Sequence, residues 1–277
     1  MPRNRLRRRA AALTLCVWIM MQCAAPAFAY VSSDWRRQVF LDSLAALPHY
    51  QEDRRERYLA YYGSSYTHEQ ILRIVNTDND LSPFEDARKA DTSYGTLILV
   101  NKYHYLGGYV PDHLSPMGIY GSWGSMDREA RAAFASLCAA AAKDGRRIWA
   151  VSPYRSYDRQ SAIYNSYVAA NGREEADTYS ARPGYSEHQT GLAVDVAVPG
   201  RSYLSFEGTP EFQWMVKHAH EYGFILRYGK GMTYITGYIY EPWHYRYVGV
   251  DAATYIWEHD LTFEEYYYYY VIGNEPR

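Results

Sequence analysis

The sequence predicts an α+β fold in which a small antiparallel sheet is flanked by helices. Short apolar runs bounded by turn residues cluster in the middle of the chain. Longer segments around them carry apolar residues at the i, i+3, i+4 spacing of one buried helix face. Cap and stop residues frame those segments. Strands in the middle with helices around them fit an α+β arrangement. At 277 residues there is room for one large domain or two small ones, and a core can form without disulfides or structural metal. Hydrophobic residues at 48% and charged residues at 22% exclude a disordered or low-complexity chain.

The first 29 residues read as a signal peptide. Arg3, Arg5, Arg7, Arg8 and Arg9 make a basic start, residues 10–21 an apolar run too short to span a membrane, and Ala27-Phe28-Ala29 a small-residue cleavage site. Residues 30–94 read as a helical leader and linker, with Thr67 capping a helix and residues 76–93 polar and turn-rich. Residues 95–277 form the main domain. There, residues 96–100 are a strand candidate, and Ser125 caps a helix from Met126 to about Lys143. Ala130, Ala133, Phe134, Leu137, Cys138 and Ala141 line one face of that helix, and Gly145 stops it. Residues 147–152 form a strand, residues 157–171 a helix ended by Gly172, and residues 191–198 a buried strand. Thr209-Pro210-Glu211 opens a helix that ends at Gly223. Residues 224–228, 234–240 and 244–248 read as short strands and residues 251–272 as an aromatic-rich helix. The five tyrosines of residues 266–270 fit either an aromatic surface for glycan or peptide or, more simply, a terminal helix that buries two of them.

Removing the five leader arginines takes the 29 basic residues to 24, against 31 acidic ones. That balance, with no basic stripe, excludes a nucleic-acid partner. No later segment has the 18 consecutive apolar residues of a transmembrane helix. Cys138 is the one cysteine outside the leader, so no internal disulfide is expected, and its apolar helix position suits a buried, inert thiol.

Four residues stand out as candidates for chemistry: His188 and Asp195 in one segment, Glu241 and His244 in another. Two imidazoles and one carboxylate make a three-ligand zinc set that leaves a fourth position for water, as catalytic zinc requires. A second carboxylate must then handle the water proton, and Glu241 is three residues from His244. Spacing alone is a weak signal, because a lone His is more often a surface or core residue. The Gly, Pro and Trp around both pairs, beside predicted buried strands, strengthen it. His49, His68, His104, His113, His218, His220 and His259 lack that setting and read as structural or surface residues.

The pattern Ser186-x-His188-x-x-Gly191-x-Ala193-x-Asp195, followed by Glu241-Pro242-Trp243-His244, resembles the LAS zinc metallopeptidases, the lysostaphin, D-Ala-D-Ala metallopeptidase and sonic hedgehog group. Its VanY-type D-alanyl-D-alanine carboxypeptidase branch is the nearest in pattern. The similarity extends through Leu99-Val100-Asn101-Lys102-Tyr103, Tyr154-Arg155-Ser156-Tyr157 with Gln160, Arg182-Pro183-Gly184-Tyr185, and residues 222–228 and 241–249. It implies one zinc per chain on His188, Asp195 and His244, with the site carried by the small antiparallel sheet. It also implies Glu241 as catalytic base and Arg155 as the group that stabilises the oxyanion, rather than a structural ion pair. Gln160 and Ser186 are implied substrate contacts, although capping or solvation also suits them, and Trp243 is either a pocket wall or core packing.

The activity implied is removal of terminal D-alanine from peptidoglycan stem peptides by metal-bound water, in an exported, monomeric enzyme of the periplasm or cell-wall space. The alternatives are an L,D-carboxypeptidase or endopeptidase on the same scaffold, or a non-catalytic zinc-containing cell-wall binding module. The retained Glu241 and Arg155 speak against the last, since binding alone needs no base.

Overall fold

The computed structural model describes residues 34–121 and 123–273; the expected signal peptide lies outside them. Two compact units are distinguished, one ending at Val75 and one beginning at Asn76. In the first, a helix over residues 34–45 and helices Arg55–Leu59 and His68–Asn76 gather Leu41, Leu44, Tyr58, Ile71, Leu72 and Val75 into their own core. Thr67 caps the last helix as its sequence suggests. Thr67 Oγ1 accepts from Gln70 N–H at 3.2 Å while Gln70 Oε1 accepts from Thr67 N–H at 3.0 Å, a reciprocal capping box.

The second unit is built on a four-stranded antiparallel sheet: β1 (Trp149–Ser152), β2 (Ala193–Ala197), β3 (Phe224–Leu226) and β4 (His244–Tyr247), in the order β1-β2-β4-β3. Strand β2 is central and buried along its whole length, so it reads Ala-Val-Asp-Val-Ala, an apolar run interrupted only by Asp195. The longer helices of this unit are α1 (Arg128–Lys143), α2 (Tyr157–Asn171), α3 (Pro210–His218) and α4 (Val250–Glu258). Helix α1 buries Ala130, Phe134, Leu137, Cys138 and Ala141, the stripe its periodicity demands. The main core joins it to Val194, Val196, Phe224, Tyr245 and Tyr247 of the sheet. Cys138 is a buried free thiol, and burial pushes its pKa up to about 12.

Local chemistry sets the helix ends. Ser156 caps α2, accepting from Arg159 N–H, and Gly172 ends it. Thr209 caps α3 with Pro210 in the first turn. The chain then tightens through Ala219–Tyr222 and turns at Gly223 with φ +80°. A Cβ at Gly223 would lie 2.6 Å from the Tyr247 ring, so only glycine lets the helix end return directly into β3.

Four segments differ from the sequence reading, each for a physical reason. Ser125 does not cap α1: Ser125–Asp127 pairs with Leu114–Pro116 as a hairpin, and Asp127 caps instead, accepting from Glu129 and Ala130. Residues 96–100 are not a strand. A 3₁₀ turn covers Thr92–Leu97, and the carbonyls of Thr96 and Ile98 accept from the Arg246 guanidinium, not from a neighbouring strand. Residues 234–240 hold a helical turn, Thr233–Thr236, ended by Gly237 at φ +74°, which overrides the strand propensity of Tyr-Ile-Thr. The C-terminal helix is broken after α4. Asp260 turns at φ +51°, Thr262 and Glu265 form a new capping box, and Phe263–Tyr266 runs into a wider π turn over Tyr267–Val271. Of the tyrosine run, Tyr267 and Tyr268 are buried, the simpler of the two readings.

His104 also proves to be a core residue. Its Nδ1–H donates to Asn101 Oδ1 at 3.0 Å and its Nε2 accepts from Arg88 Nε at 2.9 Å, a neutral tautomer held from both sides. Burial, and then the Arg88 charge, lower its pKa from 6.5 to about 3. Between those values the unfolded chain takes up a proton that the folded chain refuses. This contribution to stability is therefore fully present above about pH 6.5 and is lost as pH falls toward 3, at up to about 1.4 kcal/mol per pH unit. Denaturant unfolding of wild type and His104→Gln between pH 4 and 7 should show a less stable but flatter profile for the variant. Parallel profiles would remove His104 from the acid response.

Candidate active site

The sheet brings together side chains far apart in sequence. In the β2–β4 register Asp195 lies directly opposite His244, so one ladder position closes a gap of 49 residues. His188 comes from the turn Glu187–Thr190 that feeds β2. Gly191 ends that turn at φ +74°, where a Cβ would come 2.8 Å from the Asp127 backbone nitrogen. A larger residue there would push the His188 turn off the hairpin, so the glycine sets the ligand spacing.

His188, Asp195 and His244 each offer a ligand atom within 4.8 Å of the others. His188 Nε2 is 3.4 Å from Asp195 Oδ2, and His244 Nδ1 is 3.1 Å from Asp195 Oδ1. Donors 2.0–2.2 Å from a tetrahedral zinc stand roughly 3.3–3.6 Å apart, so the three suit that ion in chemistry and lie close to the spacing it needs. The outer nitrogens are already engaged. His188 Nδ1–H donates to the Pro153 carbonyl at 2.9 Å, and His244 Nε2 faces Glu187 Oε2 at 3.4 Å. This leaves Nε2 of His188 and Nδ1 of His244 to meet a metal, the arrangement second-sphere acceptors impose.

Glu187, the open position between Ser186 and His188 in the sequence pattern, carries no role in the sequence reading. It is fully buried, with Oε1 accepting from Arg227 Nε at 2.8 Å and Arg246 at 2.9 Å. Burial alone would raise its pKa, but the two guanidiniums outweigh that and hold it well below the carboxylate range. Burial likewise opposes the Asp195 carboxylate, and the two histidines outweigh it. For His244, burial works against the cation, yet hydrogen bonds to Asp195 and Glu187 hold its pKa up to about 9. Glu241 is different: its Oε2 is 3.7 Å from His244 Nδ1, no lysine or arginine pairs with it among the described residues, and burial raises its pKa to about 7.

These groups floor a cleft of about 500 Å³ that Arg155, Ser186 and Trp243 also line. Arg155 donates to Gln160 Oε1 at 2.7 Å and Ser152 Oγ at 2.9 Å, with Asp195 Oδ2 at 3.5 Å. Gln160 does not reach the cleft. It is fully buried, and its amide is used up between Arg155 and the Ala181 carbonyl, to which Nε2 donates at 2.7 Å. Trp243 is both wall and packing: half-buried against the main core, it meets Tyr203 edge-on at 5.2 Å. The sequence reading missed Arg159, Tyr167 and Tyr203 as lining residues.

A protein-family profile described as VanY, D-alanyl-D-alanine carboxypeptidase, matches residues 124–250. The Bacillus subtilis protein named "Putative carboxypeptidase YodJ" is 39% identical over 199 residues, which cover 68% of this chain and 73% of that protein. The chain belongs to the VanY D-alanyl-D-alanine carboxypeptidase family. Two solved structures share the fold. The LdcB LD-carboxypeptidase is 40% identical, with a TM-score of 0.62 over 65% of this chain and 89% of its own. The vancomycin-resistance D,D-pentapeptidase VanY, solved with Zn(II), is 34% identical, with a TM-score of 0.56 over 62% of this chain and 98% of its own. All the cleft-floor residues described above lie within the span matched to the VanY family.

The Glu187 contact gives a measurable expectation. In Glu187→Gln the buried arginines lose their shared anion, so the unfolding free energy should fall by about 3–5 kcal/mol. Orientation of His244 should weaken too, lowering Zn(II) affinity about 10–100-fold in chelator competition. Unchanged affinity in a folded variant would leave Glu187 a purely structural anchor.

Proposed function

We propose that the chain is a zinc-dependent carboxypeptidase that removes terminal D-alanine from peptidoglycan stem peptides, with one zinc held by His188, Asp195 and His244. The observation that carries this reading is Glu241. It is a buried carboxylate beside three metal-type donors, with no lysine or arginine at ion-pair distance among the described residues, and burial, against the pull of His244 and Arg155, raises its pKa to about 7. A group of that kind accepts and returns a proton near neutral pH. Bound zinc supplies a Lewis acid for the scissile carbonyl and lowers the pKa of water.

Glu241 takes a proton from the attacking water as its oxygen adds to the carbonyl carbon. When the C–N bond breaks, Glu241 returns that proton to the leaving amine. Arg155 faces the same cleft and stabilises negative charge on the carbonyl oxygen. Gln160, buried against Arg155, holds the guanidinium in place, while Ser186 and Trp243 contact the substrate from the cleft wall. The basic, apolar leader of the sequence supports export, since stem peptides lie outside the cytoplasm. No helix among the described residues is long and apolar enough to cross a membrane.

The likeness to LdcB favours a second reading, an L,D-carboxypeptidase that shortens tetrapeptide stems. Incubating purified protein with penta-, tetra- and tripeptide stems, with and without chelator, and weighing the products separates the two. Loss of D-alanine from the pentapeptide alone supports the first reading, and loss from the tetrapeptide supports the second.

Two substitution series test the site. His188→Ala and His244→Ala should each abolish zinc retention by metal analysis while circular dichroism stays native. Zinc that survives both substitutions would overturn the ligand assignment. Glu241→Gln should keep its zinc and a similar KM while kcat falls about 10²–10⁴-fold. A variant that loses zinc would make Glu241 a ligand instead of the base.

A further inference from the structure

One cation in the cleft has no task in the mechanism above. Arg155 is held by Gln160, Ser152 and Asp195. Arg159 lines the same cleft, is exposed, and has no acidic or carbonyl partner for its guanidinium among the described residues. The acids nearest the metal donors are occupied: Glu187 by two arginines, Asp195 by two histidines and Arg155, and Glu241 beside His244.

Its position is also unfavourable for the helix. Arg159 is the third residue of α2, where the helix dipole disfavours a cation by about 0.3–1 kcal/mol. A residue that breaks a local rule without a local partner is expected where function needs it.

The rest of the wall indicates what passes by. Arg159, Ile163 and Tyr167 line the cleft at i, i+4 and i+8 of α2, a stripe about 12 Å long. An extended peptide advances roughly 3.3–3.6 Å per residue, so the stripe can flank about three residues. Tyr203 and Leu204, which line the same cleft, are exposed to 37% and 64%. This inference rests on the carboxypeptidase reading. A carboxypeptidase releases a single residue on the leaving side, so a wall of this length serves the acyl side, the body of the stem peptide.

We infer that Arg159 is a specificity-determining residue that pairs with a free carboxylate of the substrate. The substrate class is then an acidic stem peptide that carries a free internal carboxylate, rather than one in which that group is amidated. A planar guanidinium donates two parallel hydrogen bonds to a carboxylate, an arrangement a primary amide cannot match. The terminal carboxylate is the other possible source of the same chemistry, and the test separates the two.

Wild type, Arg159→Gln and Arg159→Lys are assayed as zinc-loaded enzymes on three stems: unmodified, amidated at the internal carboxylate, and amidated at the C-terminus. In parallel, calorimetry measures the Kd of the same peptides for zinc-loaded Glu241→Gln and for Glu241→Gln/Arg159→Gln. The expected result is a loss in kcat/KM on the order of 10-fold for Arg159→Gln on the unmodified stem, carried by KM and matched in Kd. It should shrink at high salt and be recovered in part by Arg159→Lys.

On the internally amidated stem the variant and wild type should agree within about twofold, since the partner charge is already gone. If the difference instead vanishes on the C-terminally amidated stem, the carboxylate read is the terminal one. Equal kcat/KM and Kd for wild type and variant on all three stems overturn the assignment while leaving the carboxypeptidase reading intact. Stems that bind in an Arg159-dependent manner but are never cut by wild type overturn the carboxypeptidase reading and leave the carboxylate contact standing. Absence of binding to any stem overturns both.

Discussion

A single buried carboxylate joins the metal-type donors to the rest of the second unit. Glu187 is fully buried, with one oxygen shared by Arg227 and Arg246 and the other facing His244. Arg227 then forks onto Glu264 at 2.8 and 2.6 Å, and Arg246 donates to the carbonyls of Thr96 and Ile98. Ions taken out of water cost several kcal/mol each, so this network adds little net stability. Its effect is positional. Each arginine can satisfy its donors in one arrangement only, and that arrangement fixes the outer nitrogen of His244 and docks the irregular segment around residue 97. An apolar replacement could fill the volume, but it would leave His244 free to rotate and the Thr96 and Ile98 carbonyls unpaired.

The ladder supplies what the network does not. Cross-strand register sets Asp195 against His244 to within a hydrogen bond, and Gly191 lets the His188 turn close onto the hairpin at Asp127. Rigid elements thus hold all three donors. Pro153 O accepts from His188 Nδ1–H while Arg155 N–H donates to the His188 carbonyl, so the segment that carries Arg155 is registered to the same turn. Arg155 and His188 therefore move together or not at all.

What could be read from the sequence follows from this physics. Helices α2 and α3 were legible to within a residue or a turn because Ser156, Gly172, Thr209 and Pro210 are local signals. The donors were legible because metal chemistry restricts residue type. Residues 96–100 misled because an apolar run is also what a buried segment bonded to an arginine looks like, and the partner lies about 150 residues away. Residues 234–240 misled because one glycine outvoted several β-formers. The contacts of Gln160, which the sequence reading takes as a substrate contact, and of Glu187, which it leaves without a role, were not legible: each meets another side chain, and such pairings exist only after folding. The one available hint was that Arg227 and Arg246 fall in apolar strand runs, where a buried charge must find a counter-charge.

The same logic makes the strand-borne site incomplete without the C-terminal segment. The match to the VanY family ends at residue 250, and every donor lies before it. Yet Glu264, in the short helix Phe263–Tyr266, supplies the second carboxylate for Arg227, and Asn101 Nδ2 donates to it as well. Two buried arginines facing Glu187 alone would carry an uncompensated positive charge next to a site that must itself accept a cation. Glu264 brings the count to two acids against two bases and removes that repulsion. The tyrosines that follow it, with Tyr267 and Tyr268 buried against Leu99 and Ile225, pin the helix bearing that carboxylate. The aromatic run is best understood as the packing that holds one distant charge in register with the metal donors.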